Sequence, residues 1–408
     1  MNRETRPAVR LSAHLLALWL GALLVACGDY PVASLRGTGG GTGSSTAGAA
    51  MGAGPSTGGT GATGAGGSAG GGPLPANTAS LPCDVLGKAG NKCVSAHSSV
   101  RVLVPDYTGP LYQLKKGNAT QDIASVDGYA DGAAHVAFCG VAECTFNIIY
   151  DQSGYGNHLT VAPPGSAKPT PSTPANASTL PVTINGRSAF GMKFRPGQGY
   201  RAACNECPYP ETFPSGVPVG DAPQTQYMVS SQHDLIDGCC FDYGNAETTA
   251  NNDGNGTMEA VYLGMGVIWG TGTGDGPWVM ADMENGLYPG WENGSDTSIS
   301  TNTPLKHDFV TAVVVGDTAD KNGGKGRFAL YGGDATVPTI KQMYDGIRPE
   351  KPGYVPMQKQ GSVILAIGGD NSDGDGGRFY EGVIALEAAT ADVVSSLQAA
   401  IAEAGYGK

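Results

Sequence analysis

Between Leu81 and Lys408 the apolar residues come in short runs, each bounded by clusters of Gly, Asp, Asn or Pro. The runs are "TFNIIYD", "QYMVSS", "MEAVYLGMGVIW", "PWVMADME", "DFVTAVVVG", "RFALYGG", "SVILAIGG" and "FYEGVIALEA". Many are β-branched or aromatic and several alternate, which is the pattern of an all-β sandwich. Long helical periodicity appears once, near the end. Val393, Val394, Leu397, Ala400, Ile401 and Ala404 fall on one face, with Thr390 as N-cap and Gly405 as stop. There is no internal repeat and no second linker. The expectation is one domain over residues 81–408, a two-sheet β-sandwich of jelly-roll type with a short C-terminal helix.

The residues before it have other work. Arg3, Arg6 and Arg10 precede "LLALWLGALLVAC", an apolar run too short to span a membrane and laid out like a secretory signal over residues 1–27. Its end, Leu24-Val25-Ala26-Cys27, resembles a bacterial lipobox, which makes Cys27 a lipidated mature N-terminus. An ordinary signal peptide cut near Ala26 is the alternative. From Gly28 to Ser80 the chain is so rich in Gly, Ser and Ala that it cannot bury a core. As a disordered tether of about fifty residues it would reach roughly 40 Å. The expected location is extracytoplasmic, at a bacterial cell surface or secreted, with the membrane touched only through the lipid.

The nine cysteines agree with that compartment. Setting Cys27 aside leaves four close pairs: Cys83/Cys93, Cys139/Cys144, Cys204/Cys207 and the adjacent Cys239/Cys240. Local disulfides suit an oxidising environment. The C-x-x-C at Cys204 also has a metal or redox reading, but no further Cys or His adjoins it, which favours a bridge. By elimination Cys239 is left with Cys240. Loss of the signal removes three Arg and one Glu, moving the formal charge from −12 to −14. That argues against nucleic acid as a partner.

Two stretches could carry chemistry. In "WGTGTGDGPWVMADMENGL" the residues Trp269, Asp275, Trp278, Asp282 and Glu284 are crowded together. If "WVMADMEN" is a strand, Trp278, Met280, Asp282 and Glu284 share a face. Two carboxylates with an aromatic suit a sugar site; a solvated strand face is the alternative. In "LAIGGDNSDGDGGRFYEG" Asp370 follows an apolar strand and two glycines that let backbone approach a ligand. Asp370, Asp373 and Asp375 echo a calcium loop with Glu381 in the closing position, yet Glu381 sits in strand-like sequence, so a turn is the favoured reading. In "YDQSGYGNHL" Asp151 and Asn157 are expected to bond backbone, with His158 structural. No G-x-S-x-G elbow and no phosphate-cradling loop is present, and neither metal nor cofactor is expected.

"YDQSGYGNHLTVAPPG", "GCCFDYGNAET", "MEAVYLG", "GDGPWVMADMEN" and "ILAIGGDNSDG" together resemble the catalytic domain of family 54 α-L-arabinofuranosidases, from about Pro82 to Gly382. The resemblance implies a concanavalin-like sandwich and hydrolysis of terminal arabinofuranose with retention. It implies Glu284 as nucleophile and Asp370 as general acid/base. It further implies a Cys239–Cys240 disulfide against the sugar, a pocket lined by Trp269, Asp282 and Asn285, and sugar contacts from Gly369 and Asn371 beside the acid. Two departures stand out. Family members usually carry a C-terminal arabinose-binding domain, which the sequence to Lys408 does not show, and Gly286 stands where a second Asn is expected.

Retention needs the two carboxyls about 5–5.5 Å apart, one attacking the anomeric carbon and one protonating the leaving oxygen. The acid would need a raised proton affinity, which the charge of Glu284 can supply. The expected partner is an arabinose-containing polysaccharide or oligosaccharide, met by a monomer. The rival readings are a lectin-like module without turnover, and a retaining β-xylosidase or other furanosidase using the same pair.

Overall fold

The computed structural model describes residues 80–210, 215–296 and 298–408. The signal, Cys27 and the tether up to residue 79 lie outside the described residues. Two antiparallel sheets make the body. A six-stranded sheet runs in the order Cys93–Ser98, Glu381–Leu386, Gln224–Ser230, Val310–Asp317, Arg327–Asp334, Lys341–Gly346. A ten-stranded sheet runs Leu287–Tyr288, Trp278–Asp282, Glu259–Gly264, Asp242–Ala246, Ser362–Leu365, Tyr200–Ala202, Leu159–Val161, Thr145–Ile149, Tyr112–Lys116, Ala119–Ile123. The expected β-sandwich is what the chain forms.

Alternation decides which residues enter the core and which face the site. Val261, Leu263, Val279 and Ala281 of the larger sheet join Val229, Val313, Val315 and Leu330 of the smaller one in the main core. Their alternates Tyr262, Trp278 and Met280 form a separate cluster on the other face, against Trp269. Strand register places Tyr262 opposite both Asp242 and Met280, and Ala260 opposite Asp282. Asp242 and Asp282 therefore stand on the outer face, with the smaller sheet behind them. Leu263 is fully buried between the sheets, so truncating it to Ala would cost about 2–5 kcal/mol.

The sequence reading departs from the structure at several points. The run "MEAVYLGMGVIW" stops being a strand at Gly264. The Tyr262 ring lies against Gly264, and its hydroxyl accepts from the Gly266 N–H at 3.0 Å, which turns the chain away. Met265, Val267 and Ile268 are left exposed on the loop that leads to Trp269. Helices Pro82–Lys88 and Gly132–Cys139 escaped the sequence reading because seven and eight residues are too few for a helical period to show. The C-terminal helix spans Ala391–Ala402, its first turn closed by the Thr390 side chain accepting from Val393 N at 3.4 Å. Val394, Leu397, Ala400 and Ile401 are its buried face.

Disulfides join Cys83 to Cys93, Cys139 to Cys144, Cys204 to Cys207 and Cys239 to Cys240. Such bonds belong to an oxidising, extracytoplasmic compartment. The turn at Asp151 is built from its carboxylate. One oxygen accepts from the N–H groups of Ala96 and Ser153, both at 2.9 Å; the other accepts from Asn157 N at 3.0 Å and Ser153 Oγ at 2.7 Å. Asn157 donates to the carbonyls of Val94 and Ser215, and His158 Nδ1 accepts from Asp151 N at 2.9 Å.

The calcium-loop alternative fails on geometry. Asp373 pairs with Lys168, Asp375 accepts backbone N–H groups, and Glu381 lies in the core in a bidentate pair with Arg101. These acids face different partners and share no centre.

Candidate active site

One pocket opens on the outer face of the larger sheet. It is lined by Cys239, Cys240, Trp269, Asp282, Glu284, Asn285, Gly286, Leu287, Gly368, Gly369, Asp370 and Ser372. Four segments meet there: the turn before strand Asp242–Ala246, the turn after strand Trp278–Asp282, the turn after strand Ser362–Leu365, and the loop after strand Glu259–Gly264 that carries Trp269.

Glu284 does not reach the pocket by strand alternation, as the sequence pattern had it. The strand ends at Asp282, and Glu284 and Asn285 both adopt left-handed backbone, with φ of 61° and 55°. Two successive non-glycine residues there are costly and persist only when held. Asp282 Oδ1 accepts from Glu284 N at 3.1 Å, the Glu284 carbonyl accepts from Tyr354 Oη at 2.7 Å, and Met283 N donates to the Gly286 carbonyl at 3.2 Å. Asn285 stays exposed at the rim, hydrogen-bonded to Asn252 and Asn255. Gly286 has a local reason: the Tyr288 ring fills the space that a side chain would need.

The third segment presents Asp370. Its Oδ1 accepts from Ser372 N at 2.9 Å, and its carbonyl accepts from Ala167 N at 3.1 Å. Gly165, the last residue of the "YDQSGYGNHLTVAPPG" stretch, lies under this turn, where a methyl group would strike the Asp370 carbonyl. Gly369 is equally constrained, since a side chain there would overlap the carboxylates of Glu247 and Glu284. Asn371 belongs elsewhere. It is fully buried, accepts from Arg201 Nη1 at 2.6 Å and donates to the Pro163 carbonyl at 2.7 Å, so it holds the turn and does not line the pocket. The Ser372 hydroxyl sits 3.9 and 3.8 Å from the sulfurs of Cys239 and Cys240, which places the disulfide against the same turn. Trp269 is half-buried, whereas Trp278 is buried and donates to the Thr273 carbonyl at 2.8 Å; Asp275 is exposed, away from the pocket.

Electrostatics single out Glu284. Burial first, then the charges of Glu247, Asp282 and Asp370, push its carboxyl well above the usual range. Asp282 is pushed up to about 7, by burial above all. Behind them stand two acids that the sequence reading passed over. Asp242 is fully buried within hydrogen-bonding reach of Asp282, and burial with that neighbour raises it strongly. Glu247 stands beside Glu284 and is raised by burial, although its contact with Glu284 pulls it down while raising Glu284. Arg201, also overlooked, is fully buried, yet it gives its N–H groups to the Gly369 carbonyl and Asn371 at 2.6 Å and to Ser362 at 3.2 Å. Burial lowers it to about 10 against the pull of Glu247, Asp370 and Glu284. It positions the turn carrying Asp370 and supplies one diffuse positive charge to a pocket of acids.

Residues 82–407 match the family described as α-L-arabinofuranosidase B, catalytic. A probable α-L-arabinofuranosidase B of Aspergillus fumigatus is 45% identical over 336 residues, covering 80% of this chain and 62% of that protein. An arabinofuranosidase/β-xylosidase of Trichoderma koningii is 44% identical over 338 residues, covering 80% and 63%. A solved arabinofuranosidase complexed with arabinofuranosyl-α-1,2-xylobiose superposes with a TM-score of 0.73 at 40% identity, over 80% of this chain and 66% of that one. The chain thus spans a little over three-fifths of the length of these curated relatives, 62% and 63%. With four-fifths of its length inside the match, the chain belongs to the α-L-arabinofuranosidase B catalytic family.

Proposed function

We propose that the chain is a retaining, exo-acting α-L-arabinofuranosidase that removes terminal arabinofuranose from arabinose-containing plant polysaccharides or their oligosaccharides. The observation that carries this is the meeting of Glu284 and Asp370 in one pocket with the Cys239–Cys240 disulfide and Trp269. Glu284 is 6% exposed and Asp370 5%, desolvated enough to act strongly and still open to a substrate.

Glu284 attacks the anomeric carbon while Asp370 protonates the leaving oxygen, giving a covalent arabinosyl-enzyme. Asp370 then takes a proton from water, which displaces Glu284. Asp282 accepts from a sugar hydroxyl, an interaction that strengthens as positive charge builds on the ring. The disulfide and Trp269 pack against the furanose, and the two sulfurs, fixed in a ring, lose no rotamer freedom in doing so. Gly369 lets backbone approach the sugar; Asn285 contacts it from the rim.

The name of the Trichoderma koningii relative favours a second reading, in which β-xylosidase activity uses the same pair. Assay on a panel of nitrophenyl furanosides and pyranosides, with product anomers read by NMR, decides between them. The proposal expects retained arabinofuranose as the main product. Xyloside turnover at equal rate would favour the second reading, and binding without turnover would leave a lectin.

The resemblance of Leu24-Val25-Ala26-Cys27 to a lipobox supports Cys27 as a lipid anchor, with residues 28–80 as spacer before the catalytic domain. Cys27→Ala should release active protein from membranes. Wild-type protein found wholly soluble outside the cell would contradict the anchor.

A further inference from the structure

Glu247 is a buried acid that the reaction above does not use. It follows strand Asp242–Ala246, has no exposed surface, and its Oε2 has no hydrogen-bond donor directed at it. What that oxygen faces is Gly369 and the Glu284 carboxyl. Its other oxygen, Oε1, lies 2.6 Å from Thr257 Oγ1, which lies 2.6 Å from the Gly254 carbonyl. Four groups thus form a chain: Gly254 carbonyl, Thr257 hydroxyl, Glu247 carboxyl, Glu284 carboxyl.

Protons can be counted along it. The three contacts need one proton each, and the carbonyl brings none. With both acids protonated, every contact is satisfied, each group donating toward Gly254. When Glu284 is a carboxylate, one acid proton remains. The cheapest arrangement reverses the chain, so that Thr257 donates to Glu247 Oε1 and Glu247 donates through Oε2 to Glu284. An ionised Glu247 would instead set two buried carboxylates against each other with no donor between them, which costs far more. The other charged groups facing the pair are Asp282 beside Glu284, Asp370 on the third turn, and Arg201, whose N–H groups are committed elsewhere.

We propose that Glu247 is a positioning residue that keeps its proton throughout the cycle and donates it to Glu284, with the Thr257 hydroxyl turning to follow. The hydrogen bond aims the nucleophile, and after attack it rests on the ester oxygen, ready to stabilise Glu284 as it leaves. This rests on the reading of Glu284 as nucleophile.

Two measurements test it. The first is the pH profile of kcat/KM on a dinitrophenyl arabinofuranoside, whose leaving group does not need the Asp370 proton. In wild type the alkaline limb should report loss of the shared proton. Glu247→Gln keeps a donor that cannot ionise, so it should stay within about tenfold of wild type at pH 5, with its alkaline limb displaced upward by about one pH unit or more. Glu247→Ala should lose about 100-fold in kcat with little change in KM, the scale of a misplaced reacting group. Superimposable profiles for wild type and Glu247→Gln, or equal losses in the two variants, would overturn the proposal.

The second measurement needs no turnover. In protein labelled with carboxyl-13C glutamate, one signal should stay protonated above about pH 7 and vanish in both Glu247→Gln and Glu284→Gln. Absence of such a signal overturns the proton pairing. Its presence in a protein that hydrolyses no arabinofuranoside would keep the pairing and refute the nucleophile reading.

Discussion

Two buried glutamates, Glu381 and Glu284, are treated in opposite ways by the same chain. Glu381 lies on the smaller sheet with no exposed surface, and each oxygen is answered twice. Arg101 Nε and Nη2 donate to it at 2.6 and 2.7 Å, Tyr406 Oη at 2.7 Å and Tyr227 Oη at 3.0 Å. Glu284 is nearly as buried but is surrounded by Glu247, Asp282 and Asp370, and the nearby guanidinium of Arg201 is turned to a carbonyl and an amide. A charge paired this fully has no capacity left for a substrate. A charge left unpaired costs stability and is retained where chemistry needs it.

The largest expected effect breaks the comparison in both directions at once. Glu284→Gln should reduce turnover to background on all substrates, because no covalent intermediate can form, while leaving the melting temperature unchanged or higher. Glu381→Gln should leave the pocket chemistry alone and destabilise the fold by about 3–5 kcal/mol, since Arg101 is then buried without its charge partner. Thermal melts and rates measured on both proteins check this. A Glu284 variant as unstable as the Glu381 variant would erase the distinction.

A smaller effect sharpens it through pH. Asp375 is 2% exposed and accepts only from neutral donors, the N–H groups of Ile236 and Gly376 and the Tyr262 hydroxyl. Burial pushes it up to about 8. A raised carboxyl means that the fold favours the protonated form. Its stabilising contribution is therefore complete below about pH 4 and is lost as pH climbs toward 8. Asp375→Asn should change the melting temperature little at pH 4 and raise it at pH 8, by an amount worth at least about 1 kcal/mol. A difference independent of pH would contradict the assignment.

The smallest stability effect belongs to the disulfide at the pocket wall. A sequence separation of 1 constrains almost none of the unfolded chain. Replacing both Cys239 and Cys240 by Ala should raise KM for arabinofuranosides about tenfold, the scale of a lost apolar contact, with a shift in melting temperature of a few degrees at most. The reverse outcome, a large melting shift with unchanged KM, would make the bond structural.

Much of this was legible in the sequence, for identifiable reasons. Alternation in "PWVMADME" and "DFVTAVVVG" shows the strands because one sheet face must be apolar. Glu284, Asp370, Asp282 and the paired cysteines stand out because their motifs are unusual for a core. Asp242, Glu247 and Arg201 did not, although "GCCFDYGNAET" holds two of them. A single Asp, Glu or Arg in a strand ordinarily points to solvent, and only the cross-strand register turns Asp242 toward Asp282. Asn371 misled in the opposite sense. Its place beside Asp370 reads as a sugar contact, while its buried partners Arg201 and Pro163 come from far along the chain.

The central claim is that Glu284 and Asp370 have unlike roles, nucleophile and acid/base. Asp370→Ala loses leaving-group protonation, typically about 10²–10⁴-fold on natural linkages. On a dinitrophenyl arabinofuranoside its first step should survive and the arabinosyl-enzyme should accumulate, lacking a base for water. Added azide needs no base, so it should restore turnover and give an arabinofuranosyl azide of retained configuration, identified by NMR. No rescue would mean that Asp370 only binds sugar, and an azide of inverted configuration would mean that the two roles are exchanged.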